Sequence, residues 1–352
     1  MSAPVAPPSR TPWWRPDRLA ARRANLALRG RVLAAIRGFF AARGFVEVET
    51  PALQVSPGLE PHLHALGVAL HDPDGTARPR YLHTSPEFAM KKLLAAGEPR
   101  LYQLARVFRD AERSTTHHPE FTMLEWYRAG ADYRVLMDDC EALLAACAAA
   151  GDGTLRWQGR VCDPRRPWQR LSVAEAFVRH AGIDLLASAP DPAAPSFELL
   201  AKAAARAGLL AHEGDDWESL FFRIFLERIE PALGAPVPTI LYDYPVSLAA
   251  LARPSAADPR LAERFELYVA GLELANAFSE LTDPAEQRRR FEADLARKQR
   301  LYGTRYPIDE DFLAALGSAF PESAGIALGV DRLVMLGCGA AHIEDVLWAP
   351  VD

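Results

Sequence analysis

The stretch FRDAERSTTHHPEFTMLEWYR, Phe108 to Arg128, ends one apolar run, PRLYQLARVFRD, and begins another, PEFTMLEWYRAG. Side chains alternate along a strand, so Phe121, Met123, Glu125 and Tyr127 share a face, and so do Gln103, Ala105, Val107 and Arg109. If the runs pair as a hairpin, Arg109, Phe121, Glu125 and Tyr127 converge on one side of a sheet. Above them lies a loop that carries Arg113, His117 and His118. A cation, a ring able to stack on a base and histidines able to meet phosphate make a candidate nucleoside triphosphate site. The same pattern also fits an amphipathic hairpin with a solvated polar face.

A second constellation is RFELYVAGLELANAFSEL, Arg264 to Leu281. In a hairpin turning at Gly271, Glu266 and Glu273 fall almost opposite each other. Like charges so placed repel unless something neutralises them, so a divalent cation is the economical explanation and an exposed edge hairpin the plain one. Asn276, Phe278 and Glu280 share one face by alternation. Glu273 joins that face only if a bulge or bend separates it from Asn276. A third segment, GIALGVDRLVML from Gly325 to Leu336, reads as a small-residue strand running into a helix. Its glycines, Gly325 and Gly329, would let a ligand approach the backbone, and Arg332 falls in the first helical turn.

Around these segments the chain reads as one large catalytic domain, residues 18–352, after a proline-rich tail at residues 1–17. Arg29 to Gly44 sets Val32, Ile36, Phe39 and Phe40 on a helical stripe, and FVEVETPAL follows as a strand closed by Pro51. TSPEFAMKKLLAAG predicts a helix capped by Ser85, with Pro86 in its first turn and Gly97 at its end. Helices are also predicted over Tyr133–Ala150, in several pieces across Ala174–Leu251, and over PAEQRRRFEADLARKQRL. The charge balance of 46 acidic against 40 basic residues gives −6 overall, which provides no general field for nucleic acid. Cys140, Cys147, Cys162 and Cys338 show neither a C-x-x-C pair nor zinc spacing and read as reduced core thiols. No segment approaches the length of a membrane span, and prolines stand where a signal peptide needs its apolar centre, so a cytoplasmic protein is expected.

Taken in order, the helix and strand ending at Pro51, FRD…HHPEFTMLEWYR and GIALGVDRL resemble the three signature motifs of class II aminoacyl-tRNA synthetases, most closely the lysyl branch. The resemblance implies an α+β fold, an antiparallel sheet flanked by helices, and a homodimer formed through the first motif. It implies ATP and Mg²⁺ as cofactors. Arg109 and Arg332 are the implied catalytic groups, Arg109 on the substrate carboxylate and α-phosphate, Phe121 and Arg332 about the adenine. Asp110, Ala111, Glu112, His117, His118, Glu273, Leu274 and Gly329 complete the implied ATP site, with Glu266 and Glu273 on the metal. Ser85, Pro86, Glu87, Glu125, Tyr127, Asn276, Phe278, Glu280 and Ala327 form the implied amino-acid pocket.

The lysyl enzymes precede this core with a barrel that reads the anticodon, and the segment before the first motif is too short for one. That resembles the truncated relatives whose acceptor is a protein, elongation factor P, and whose amino acid is (R)-β-lysine. The alternatives are an enzyme activating α-lysine for tRNA and a catalytically silent regulatory protein. Departures from the usual motifs are Ala111, where a glutamate that reads adenine is usual and Glu112 could substitute, and His118, where asparagine is usual. Ala327 replaces a usual glycine, and its methyl could favour a β-amino acid.

Overall fold

The computed structural model describes residues 12–318 and 320–351. The stripe of Val32, Ile36, Phe39 and Phe40 belongs to a longer helix, α1 (Pro16–Ala41), which begins on a proline and thus takes in the end of the expected tail. The rest of that tail, residues 1–11, lies outside the described residues. Pro51 splits the next segment into two short strands, β1 (Val46–Glu47) and β2 (Leu53–Gln54), so the predicted strand toward Leu53 is shorter than its pattern suggests. A hairpin of β3 (Gly67–His71) and β4 (Ala77–Leu82) leads to α2 (Glu87–Ala95). Pro86, not Ser85, occupies the cap position of α2, and the Ser85 hydroxyl accepts the Glu87 N–H at 3.0 Å.

The opening stretch forms the expected hairpin of β5 (Arg100–Phe108) and β6 (Glu120–Ala129), in register from Arg100 opposite Arg128 to Phe108 opposite Glu120. Asp132 caps α3 (Tyr133–Ala149) by accepting the amides of Arg134 and Val135. After β7 (Leu155–Trp157), β8 (Arg160–Cys162) and β9 (Gln169–Ser172) come the helices α4 (Val173–Ala181), α5 (Phe197–Arg206) and α6 (Trp217–Ile224). The helical reading of residues 174–251 fails over β10 (Thr239–Pro245), an apolar run between prolines whose Ile240 and Leu241 are buried on opposite faces. Two antiparallel strands, β11 (Leu261–Val269) and β12 (Leu272–Ser279), turn at Gly271 as read. The chain closes with α7 (Pro284–Tyr302), α8 (Glu310–Leu316), β13 (Ser323–Gly329) and α9 (Val330–Cys338).

Eight strands form one sheet in the order β1-β5-β6-β13-β12-β11-β10-β9. Only the end pairs, β1 with β5 and β9 with β10, run parallel; the rest are antiparallel, as the α+β reading requires. Helices α1, α3 and α9 cover one face, where Phe40, Leu124, Trp126, Leu136 and Val334 meet in a common core. Alternation then turns Met123, Glu125 and Tyr127 to the opposite face, which stays open as a cleft. All four cysteines are free thiols, and burial pushes Cys147 and Cys162 up to about 12. Among the described residues no helix is long and apolar enough to cross a membrane.

Candidate active site

Sheet register assembles the site in rows. Gln103, Glu125, Ala327, Asn276 and Glu266 stand successively opposite one another across β5, β6, β13, β12 and β11. The next row joins Tyr127, Gly325, Phe278 and Arg264, and Phe121 lies beyond, opposite Val107. The register slips where Leu267 faces Ala275 but Tyr268 faces Glu273, so Leu274 is an extra residue on β12. That is the bulge the alternation argument required, and it brings Glu273 onto the face of Asn276 and Glu266.

The resulting cleft has a volume of about 440 Å³. Ser85, Glu87, Glu125, Tyr127, Asn276 and Phe278 line it, with Ala327 between them. Arg109, Phe121, Glu273, Gly329 and Arg332 line the adjoining part, together with Glu112, His117, His118 and Leu274. Pro86, Asp110, Ala111, Glu266 and Glu280 do not reach its surface.

In the pocket, Glu125 is 1% exposed; Ser85 Oγ donates to its Oε1 at 2.5 Å and the Tyr127 hydroxyl to its Oε2 at 2.9 Å. Burial first, then the carboxylate of Glu87, pushes Glu125 up to about 8. Glu280 is fully buried beneath the pocket, and its Oε2 lies 2.5 Å from the ammonium of Lys91. The same ammonium donates to Glu87 Oε1, so one buried lysine bridges both carboxylates. Burial opposes charge on Lys91, but Glu280 and Glu87 more than offset it and raise its pKa. Glu280 Oε1 has no hydrogen-bond partner.

In the adjoining part the Arg109 guanidinium lies 5.2 Å from the Phe121 ring centre and 3.9 Å from Glu112, and its Nε is buried without a partner. Arg332 Nη1 donates to the carbonyl of Glu273 at 2.8 Å, and its Nη2 meets His117 Nε2 at 2.7 Å. Burial and the Arg332 charge hold His117 below the usual imidazole range, so its Nε2 accepts. A buried knot ties the motifs together. Asp331 pairs with Arg29 of α1 and accepts the Thr122 amide of β6 at 2.6 Å, while Arg29 donates to Thr122 Oγ1 at 2.7 Å.

The family of class II tRNA synthetases (D, K and N) matches residues 13–352. The chain belongs to that family. Relatives named elongation factor P--(R)-beta-lysine ligase include proteins of Vibrio cholerae, 42% identical over 93% of this chain and 95% of the relative, and of Erwinia tasmaniensis, 42% identical over 98% and 99%. A protein of the same name from Vibrio atlanticus is 38% identical over 96% of this chain and 98% of its own length. The expectation of a synthetase-like ligase is borne out.

Several sequence expectations need correction. Glu266 stands opposite Asn276, not Glu273, and the bulge makes the two glutamates diagonal neighbours. Glu266 is also engaged: Tyr244 and Tyr268 each donate to its Oε2 at 2.6 Å, and Arg264 donates to its Oε1 at 2.6 Å. Glu273 is the open carboxylate. Burial and the Glu266 charge raise its pKa, although 42% of the side chain still meets water, which limits the shift. Two hard oxygen donors on one face fit Mg²⁺ provided that Glu266 Oε1 releases Arg264.

Gly325 serves packing more than ligand approach, while Gly329 lines the cleft with room around it. A Cβ on Gly325 would overlap the Tyr127 ring and stand 2.5 Å from Glu280 Oε1, whereas at Gly329 its nearest neighbour would be the Arg332 side chain, at 3.7 Å. His118 is spent on structure: its Nδ1 lies 2.6 Å from the Glu120 carbonyl, and its Nε2 accepts the Val351 amide at 3.1 Å. Ala111 has φ +61° and Asp110 accepts its amide, so both shape the turn behind Arg109, and Glu112 presents the carboxylate to the cleft. Lys91 and the Arg29–Asp331 pair were missed. The (i, i+4) spacing of Glu87 and Lys91 signalled the first; nothing local signals the second.

Proposed function

We propose that the protein activates (R)-β-lysine with ATP and transfers it to a lysine side chain of elongation factor P, acting as a cytoplasmic homodimer. The observation that carries this reading is the pocket lined by Glu87 and Glu125, with Glu280 buried beneath it, set beside Arg109, whose Nε has no partner. A diamino acid carries two ammonium groups, and carboxylates in an enclosed pocket are the groups that bind them strongly. Glu125 receives one ammonium, with the buried carboxylate of Glu280 adding negative charge from beneath the pocket, and Glu87 receives the other. Phe278 packs on the methylenes.

Arg109 then draws the substrate carboxylate against the α-phosphate, and Phe121 and Arg332 flank the adenine. The carboxylate attacks phosphorus, and pyrophosphate leaves. No side-chain nucleophile is needed, since positioning and charge neutralisation supply the catalysis. Glu273, with Glu266, would hold Mg²⁺, which neutralises charge on the phosphates when bound. The amine of the acceptor lysine next attacks the adenylate, forming the amide and releasing AMP. The names and nearly full-length similarity of the relatives support this acceptor, and exposed Val46 in the first motif, with Leu53 and Val55 just after it, supports a dimer face there.

Pyrophosphate exchange measured across a panel of amino acids tests the activation step. Exchange that requires a lysine-like diamino acid and Mg²⁺ supports it, and equal exchange with aspartate or leucine refutes it.

A further inference from the structure

One wall of the cleft belongs to neither the amino-acid pocket nor the phosphate region. Glu60, Leu63, Glu218, Phe222, Asp294 and Arg297 form it. Glu60 sits on the loop between β2 and β3, and that loop is pinned from below. Lys298 of α7 donates to the carbonyls of Glu60 at 3.1 Å, Pro61 at 3.0 Å and Leu63, and the Thr84 hydroxyl donates to the Pro57 carbonyl at 2.7 Å. The buried ammonium nearest Glu60 is thus spent on main-chain oxygens. Glu60 Oε2 is shut off from solvent and has no hydrogen-bond partner. A carboxylate in that condition costs stability unless its site needs it.

The charges around Glu60 fix its place. It shares the cleft with Glu87 of α2 and with Arg109 and is close enough to interact with both charges. From α7, Lys298 and Asp294 also face it. Asp294 in turn interacts with Glu218 and is opposed by Arg297 and Arg290, and Glu218 is 3.9 Å from His62. Burial, then Glu87, raises the Glu60 carboxyl above its ordinary range, while a hydrogen bond from its own backbone amide, then Arg109 and Lys298, oppose the shift. Burial, then Glu60 and Glu218, pushes Asp294 up to about 7.

A reaction that ends in an amide imposes a demand on this wall. The incoming lysine is an ammonium at neutral pH and cannot attack until it loses a proton. Resting on the acceptor chemistry proposed above, we propose that Glu60 is the base that deprotonates the acceptor amine, and that Asp294 and Glu218 form the mouth through which this amine enters. Leu63 and Phe222 provide apolar contact for its methylene stem. One ammonium proton passes to a Glu60 oxygen, and the freed lone pair forms the C–N bond at the adenylate carbonyl carbon. The C–O bond to AMP breaks and AMP leaves with that electron pair. The second proton on nitrogen is lost to water, and Glu60 returns its proton to solvent. A base whose proton affinity lies nearer neutrality than an ordinary carboxylate's suits this transfer.

The test separates the half-reactions in the full-length protein. Adenylate is formed first with (R)-β-lysine and ATP, and its single-turnover decay is followed with elongation factor P or with hydroxylamine as acceptor. Hydroxylamine is already neutral at pH 7 and needs no base. In Glu60→Gln, transfer to the protein lysine should fall by about 10²–10⁴-fold relative to transfer to hydroxylamine, and the rise of the wild-type transfer rate with pH should flatten. Asp294→Asn should raise the KM for the acceptor protein more than it changes kcat. If Glu60→Gln melts early, Glu60→Asp, which withdraws the base by one methylene, carries the same comparison. Equal loss with both acceptors, or no loss with the protein, overturns the assignment. Absence of any exchange in the wild type would instead refute the adenylate reading itself.

Discussion

Replacing Lys91 by methionine removes the cation that bridges Glu87 and Glu280 while nearly keeping the side chain's length. Lys91 is 2% exposed and Glu280 0%, so water cannot take over the pairing. Breaking a buried pair on one side costs about 3–5 kcal/mol, because the other charge stays behind uncompensated. For a chain of this size each kcal/mol moves Tm by roughly 1.4 °C, so Lys91→Met should melt about 4–7 °C early. Glu280 will relieve part of the cost by binding a proton. Its folded pKa in the variant then lies further above the unfolded value, so its contribution is retained at low pH and lost as pH rises from the ordinary carboxylate range through the raised value. Burial already holds the wild-type Glu280 carboxyl up at about 8, so the deficit should grow as pH rises above about 8. The double variant Lys91→Met, Glu280→Gln removes both charges and should recover most of the stability, with a coupling energy of about 2 kcal/mol or more. It should not recover amino-acid binding, since Oε1 no longer carries charge; KM for the amino acid should stay up by about 10–150-fold, with KM for ATP nearly unchanged. Thermal melts across pH and paired KM measurements give both readouts. A Lys91→Met protein with wild-type Tm and wild-type amino-acid KM would refute the bridge.

Arg109→Ala and Glu273→Gln should each abolish pyrophosphate exchange with the melting temperature preserved, because both side chains face the cleft; full exchange in either variant removes that residue from the phosphate site. Amino-acid affinity should strengthen as pH rises toward 8, since the Glu125 carboxyl, held at about 8, must release its proton to meet an ammonium. Calorimetry in buffers of different ionisation enthalpy should detect that release, and its persistence in Glu125→Gln would assign it elsewhere. Ala327 lies opposite both Glu125 and Asn276, so Ala327→Gly should improve use of α-lysine relative to β-lysine by no more than about 10–200-fold; an unchanged ratio of adenylation rates would place the selectivity at Ser85 or Phe278.

What the sequence disclosed follows from the reach of its signals. Alternation along β5, β6 and β12 is a period-two pattern that register alone converts into rows, so the shared face of Phe121, Glu125 and Tyr127 was readable, and so was the need for a bulge or bend between Glu273 and Asn276, which falls at Leu274. Side-chain pairing across distant elements leaves no such trace. That Glu266 is held by Tyr244, Tyr268 and Arg264 depends on the register of β10 against β11, and β10 itself was read as helix because its apolar run is short. The Arg29–Asp331 pair joins residues 302 positions apart. Gly325 was legible as a special position, but its cause, the Tyr127 ring and Glu280 behind it, was not. Glu60 escaped notice because its loop has no periodicity.

The most direct measurement of the proposed function is the intact mass of elongation factor P after incubation with this protein, ATP, Mg²⁺ and (R)-β-lysine, beside a parallel reaction with tRNA as acceptor. The proposal predicts that the factor gains the mass of one β-lysyl residue at a lysine, that the gain requires ATP, and that tRNA stays uncharged. Formation of AMP and pyrophosphate with an unmodified factor, or aminoacylation of tRNA in its place, would contradict it.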